Sequence, residues 1–193
     1  MPDALSHTFI AYTDGLVPIF TFMEERFIMP QEFNMQEAIK MAIQTEKNVM
    51  DFYQRAAEIT GNPRGRKVFE LLSREEREHA GHFFHLYQGK DLGSFDEFMA
   101  RPPHPDSVML HELAKAIDSN VGDRRAMEIA LREEQDLEKN LQQTASRIVD
   151  PAVRAVFDRM AKETHDHFEL IESEYAHLMG MVHETDIDTY VRE

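Results

Sequence analysis

Residues 72–86 read Leu72-Ser73-Arg74-Glu75-Glu76-Arg77-Glu78-His79-Ala80-Gly81-His82-Phe83-Phe84-His85-Leu86, and two incompatible demands share that stretch. With Phe69 in front, Leu72, Glu76, His79, Phe83 and Leu86 recur at three- and four-residue steps, the spacing of one helix face. That face is apolar at both ends and carries a carboxylate and an imidazole in its middle. An ionised carboxylate on a dry face is costly unless it is paired, protonated or bound to a metal.

The same pattern recurs three times. Ile39, Ala42, Glu46, Val49, Tyr53 and Ala56 predict a helix over 34–60, with Asn34 as N-cap, Glu37 three residues on, and Gly61-Asn62-Pro63 as the stop. The stretch quoted above falls in a second helix over 63–89. Met127, Ala130, Glu134, Leu137, Leu141 and Thr144 predict a third over 122–148. Phe157, Met160, Thr164, His167, Ile171 and Tyr175 predict a fourth over 151–179. An offset of 88 residues aligns 38–87 with 126–175 without a gap, and twelve of the fifty pairs are identical. Among them are Glu46/Glu134, Pro63/Pro151, Arg66/Arg154, Glu75/Glu163 and His79/His167. Two duplicated hairpins, 34–90 and 122–179, joined by a long crossover over 91–121, are one of the topologies open to four helices. The crossover holds Arg101-Pro102-Pro103-His104-Pro105 and a short predicted helix near 108–119. Residues 1–33 form an aromatic-rich arm expected to pack on its own domain or on a second copy, and 180–193 read as a tail.

Composition narrows the chemistry. The chain has 193 residues, 42% hydrophobic and 30% charged, enough apolar material for a core. Its formal charge of −15 argues against nucleic-acid and anionic-membrane surfaces, which need clustered Lys and Arg. No apolar stretch approaches the roughly 20 residues that span a bilayer. The N-terminus lacks the order of a signal peptide, so a cytoplasmic location is expected. The absence of cysteine excludes iron–sulfur clusters, thiolate zinc sites and a thiol nucleophile from this stretch of chain. The methionines fall at core spacing, so haem ligation is not expected. No phosphate-binding loop, nucleophile elbow or basic aromatic stripe is present.

Oxygen and imidazole donors remain. Glu46, Glu76, His79, Glu134 and His167 lie on the four apolar stripes, where no Lys or Arg neutralises them. A metal cluster satisfies such a set, and mixed carboxylate and imidazole ligation suits iron or manganese better than calcium. Tyr53, two turns after Glu46 on the same stripe, is read first as core, with a hydrogen bond to a ligand or electron transfer as the other roles open to it. His82, His85 and His165 are read as exposed helix histidines near the motif, and Glu75 as surface.

Over about residues 34–178 the sequence resembles the rubrerythrin branch of the ferritin-like superfamily. Glu46 matches the family's first-helix glutamate, Glu76-x-x-His79 its second-helix motif and Glu134 its third-helix glutamate. The resemblance implies an all-α, ferritin-like four-helix bundle holding two non-haem iron ions, with manganese as the other candidate metal. It implies ferrous oxidation, or reduction of peroxide or dioxygen, with an external electron donor and a homodimeric assembly. Three departures stand out. Thr164 occupies the position of the fourth-helix glutamate. Glu163, about 40° from His167 around the helix against about 60° for position 164, is the substitute expected among the ligands. Leu137 stands where the family carries a further third-helix glutamate, and no cysteine-ligated rubredoxin domain occurs in the sequence. Two other classes therefore stay open: a metal-binding or iron-handling protein without turnover, and an interaction bundle with a vestigial site.

Overall fold

The structure, a computed structural model, describes residues 33–117 and 122–181. The arm over 1–32, residues 118–121 and the tail beyond 181 lie outside the described residues, as does the end of the predicted 108–119 helix. Six helices run in the order α1 (Met35–Ile59), α2 (Pro63–Leu86), α3 (Phe95–Met99), α4 (Val108–Ile117), α5 (Gly122–Arg147) and α6 (Pro151–Leu178), with no strand among the described residues. The four long ones fall where the apolar periodicity puts them, within a few residues at each end.

The ends follow from local chemistry. The Asn34 side chain accepts from the backbone N–H groups of Gln36 and Glu37 and opens α1. α2 and α6 begin alike: Asn62 and Asp150 cap them, and Pro63 and Pro151 follow where a missing N–H costs nothing. Three residues separate α1 from α2, and three separate α5 from α6, so each pair is an antiparallel hairpin. Each turn is latched the same way. Arg66 donates to the carbonyl of Thr60 at 2.9 Å, and its repeat partner Arg154 donates to the carbonyl of Ile148 at 2.8 Å. α6 ends in a Schellman motif, with Gly180 at a φ of 64° and the N–H groups of Gly180 and Met181 returning to the carbonyls of His177 and Ala176.

α1 packs on α2 and α5 on α6, while α2 meets α6 and α1 meets α5 to close the bundle. Ile39, Ile43, Phe52, Phe69, Leu72, Phe83, Met127, Ile129, Phe157 and Ile171 fill its core. Burying side chains of this size contributes roughly 1.5–3 kcal/mol each relative to exposure. The crossover is more structured than its sequence suggests. α3 is one closed turn, held by a reciprocal Ser94–Glu97 capping box, and it buries Phe98 and Met99. Its Phe95 meets Phe84 edge-on at 5.3 Å under the guanidinium of Arg77. Five residues are too few for a periodicity to register. α4 lies against α1 and α5.

No helix among the described residues is long and apolar enough to cross a membrane.

Candidate metal centre

Each long helix brings polar side chains to the middle of its apolar stripe, and the bundle buries them together. Glu46 (α1), Glu76 and His79 (α2), Glu134 (α5), and Thr164 and His167 (α6) are all at most 5% exposed. Glu76 stands at the centre. Its Oε1 lies 2.9 Å from Nδ1 of His167 and its Oε2 lies 3.3 Å from Nδ1 of His79. The two rings stack with centroids 5.1 Å apart and planes 8° from parallel. One carboxylate thus spans two imidazoles contributed by different hairpins. Donor atoms of Glu76, His79 and His167 all fall within 4.8 Å of one another, close enough to share one ion.

Glu134 approaches from α5, with Oε1 3.8 Å from Nδ1 of His167. The same oxygen accepts a short hydrogen bond from the Tyr53 hydroxyl. Tyr53 is itself wholly buried, stacked on Phe69 at 5.9 Å, so its hydroxyl is held in place from below. Two of the readings open for Tyr53 hold together: its ring is core and its hydroxyl serves a carboxylate of the cluster.

The hydrogen bonding is conspicuously incomplete. Both oxygens of Glu46, both of Glu76, Oε2 of Glu134, Nδ1 of both histidines and Oγ1 of Thr164 are buried without a well-formed hydrogen bond. Native interiors leave few such atoms, and a cluster of them calls for a missing partner. The orphans are carboxylate oxygens and imidazole nitrogens, the donors that iron and manganese take. The residues present therefore fit a metal centre.

Protonation follows from this crowding. Burial, and then the negative charge of Glu76, push the Glu46 carboxyl well above the usual carboxylate range, and a proton there gives it a donor to offer Glu76. Burial and the field of Glu76 likewise raise Glu134, to about 8. Burial opposes the charge on Glu76 as well, but the two close imidazoles outweigh it and hold Glu76 below the usual range. Burial pulls His167 down, yet the proximity of Glu76 and the charges of Glu134 and Glu75 raise it to about 9. Metal-free and at neutral pH, the centre therefore stores protons on Glu46, Glu134 and His167 around one ionised carboxylate.

Glu163, expected among the ligands, meets the cluster at the outer edge of His79. Its Oε2 is 3.0 Å from Nε2 of His79, the nitrogen on the far side of the ring from Glu76, and its side chain is 39% exposed. Glu75, read from sequence as surface, does the same for the other hairpin: its Oε2 is 2.9 Å from Nε2 of His167. The sequence did carry a signal for that pair, since Glu75/Glu163 is one of the twelve identities of the repeat. Both carboxylates, with Glu78, His82 and Asp166, line an open recess of about 240 Å³ over the outer edges of the two rings. His165 and His85 stand away from the cluster, the first pairing with Glu138 at 3.1 Å and the second with the carbonyl of Gly81. Leu137, where the family carries a further glutamate, is buried in the core.

A four-helix bundle with a buried carboxylate and imidazole cluster on its internal twofold defines a ferritin-like protein. The rubrerythrin family model matches residues 19–87 and 37–175, and the chain belongs to that family. No curated protein and no solved structure matches it.

Proposed function

We propose that the protein is a non-haem di-iron carboxylate oxidoreductase of rubrerythrin type, which oxidises ferrous iron or reduces peroxide or dioxygen. The observation that supports this best is Glu76, a single buried carboxylate set between the Nδ1 atoms of two histidines, with neither oxygen in a well-formed hydrogen bond. In this reading Glu76 would be shared, Glu46 with His79 would hold one ion and Glu134 with His167 would hold the other. When bound, two such ions supply open coordination positions and electrons for the reduction of an oxygen species. The chain's own residues supply the rest. The Tyr53 hydroxyl fixes one oxygen of Glu134 and leaves the other free to ligate. The cluster's own side chains are at most 5% exposed, so bulk water has little access to them. Glu46, Glu134 and His167 must give up protons on loading, so uptake of metal and release of protons are one event. None of the 193 residues is a cysteine, so a cysteine-ligated electron donor would have to lie outside them, and ferrous iron itself is the other source of electrons.

A second reading, metal binding without turnover, draws on Thr164, whose hydroxyl occupies the place of a carboxylate and has no partner. Anaerobic addition of ferrous iron, followed by metal analysis and then by oxygen and peroxide consumption, separates the two. Uptake with turnover faster than free iron, abolished in Glu76→Ala, is the expected result. Uptake without turnover selects the second reading. Less than about 0.2 metal per chain, well short of the one ion the donor set can share, would sink both.

A further inference from the structure

We propose that Val49 and Leu137 form the gate through which a small uncharged oxidant reaches the cluster, from a recess between α1 and α5. The proposal rests on the oxidoreductase reading of the site and adds the path to it. The recess, about 290 Å³ in volume, is built symmetrically. Thr45, Asn48 and Val49 line it from α1, and Glu133, Asp136 and Leu137 from α5. These are three pairs of the 88-residue repeat, so the recess straddles the internal twofold on which the cluster sits. Crossover residues 104 and 106–109 complete the lining.

The recess borders two carboxylates of the cluster. Thr45 and Glu133 directly precede Glu46 and Glu134, and Val49 and Leu137 follow them by three residues, about one helical turn. Asp136 and Asn140 are exposed, whereas Val49 and Leu137 are 3% and 6% exposed, so the recess deepens toward two aliphatic side chains. Beside that floor, both oxygens of Glu46 and Oε2 of Glu134 lack a well-formed hydrogen bond. The α2–α6 side of the bundle is closed differently. Its recess ends on the His79 and His167 rings, whose Nε2 atoms are engaged by Glu163 at 3.0 Å and Glu75 at 2.9 Å. Passage there displaces contacts to charged groups, which are the strong kind. Passage between Val49 and Leu137 displaces dispersion contacts, each of them weak.

The lining also selects what passes. Asp106, Glu133 and Asp136 disfavour an anion, and an aliphatic floor disfavours an ion of either sign. A neutral apolar molecule such as dioxygen meets neither penalty, since leaving water for an apolar surface is favourable for it.

The first test uses the unmodified full chain, metal-free in chelator, with labelled valine and leucine methyl groups under pressurised dioxygen. Methyl relaxation in NMR reads where the paramagnetic gas collects. In a close-packed interior, the Val49 and Leu137 methyls are expected to gain about threefold or more the enhancement of Val153 and Leu92. Those two are 8% and 6% exposed, so exposure alone does not produce the difference. The second test blocks each recess in turn. None of the 193 residues is a cysteine, so Asn140→Cys on the α1–α5 side and Asp166→Cys on the α2–α6 side each offer one thiol to a bulky maleimide. Both positions are exposed, and circular dichroism checks the fold. After anaerobic ferrous loading, stopped-flow mixing with dioxygen reads the oxidation rate against the unlabelled form of the same variant. The label at position 140 is expected to slow oxidation about fivefold or more, as a blocked gate does, and the label at 166 to leave it within about twofold.

Enhancements at Val49 and Leu137 no larger than those at Val153 and Leu92 would overturn the proposal. So would slowing by the label at 166 alone, by both labels alike, or by neither. Each of these results removes the route and leaves the metal centre standing. Wild type that takes up no iron, or takes it up without oxidising it, removes the oxidoreductase reading and this gate with it.

Discussion

Replacing Glu46 with leucine should make the metal-free protein more stable. Glu46 has no exposed surface, and neither of its carboxyl oxygens has a well-formed partner. Burying such a polar group without compensation costs about 1–3 kcal/mol on the scale of protein mutants. A leucine of similar reach removes that cost and adds contact with the surrounding apolar side chains. Part of the gain is offset by the loss of whatever Glu46 donates to Glu76 when protonated. For a domain of this size each kcal/mol shifts Tm by about 2–4 °C, so a rise of roughly 3–8 °C is expected in chelator. Manganese or ferrous iron should narrow or reverse the order. Wild type gains about 2.7 kcal/mol at a metal concentration a hundredfold above Kd, whereas a variant missing a ligand gains less. Scanning calorimetry with chelator and with metal reads both effects in one series. A variant that melts below wild type in chelator would refute the reasoning, because it would mean the buried carboxyl is already satisfied without a metal.

The raised groups predict how the metal-free protein responds to pH. Glu134 is raised above its unfolded value to about 8, so its contribution is present at acid pH and lost as pH rises through about 8. His167, raised to about 9, contributes fully below about 6.5 and loses that contribution as pH rises through about 9. Glu76 is lowered and works oppositely, its contribution being lost only as pH falls below the ordinary glutamate range. Thermal melts in chelator should therefore decline from about pH 6 to pH 9, while Mn(II) affinity over the same range rises as protons stop competing. A flat melt profile across that range would contradict the protonation pattern. Thr164→Glu places a carboxylate at the position equivalent to Glu76 in the repeat and should raise the saturating metal stoichiometry, read by elemental analysis after desalting. An unchanged stoichiometry would show that Thr164 withholds no ligand.

Much of the bundle was legible in the residues because its signals are local and repeated. Stripes at three- and four-residue steps, caps at Asn34 and Asn62, and prolines at 63 and 151 each act within one turn of helix. The duplication then doubled every signal. Five buried polar residues, Glu46, Glu76, His79, Glu134 and His167, stood out for a physical reason: they occupy positions where burial is dictated and charge is penalised. Glu163 was harder. Helical angles measured around one helix say which side chains share its face, but they are silent about a neighbouring helix, and it is the neighbour's imidazole that Glu163 meets. Glu75 escaped for the same reason. α3 escaped because a single turn, held by its own cap and by Phe98 and Met99 beneath it, leaves no period to count.

The crossover between α2 and α5 has a consequence for variation. Were the two hairpins separate chains meeting as identical copies, any substitution at the centre would strike both sides at once, and the two halves would stay chemically equal. Joined in one chain, they can change independently. The equivalent positions 76 and 164 of the repeat differ in this way, since one half carries a buried carboxylate and the other a buried hydroxyl. A centre built this way has a distinguishable left and right, so ions, protons and small ligands entering it meet two unlike sides.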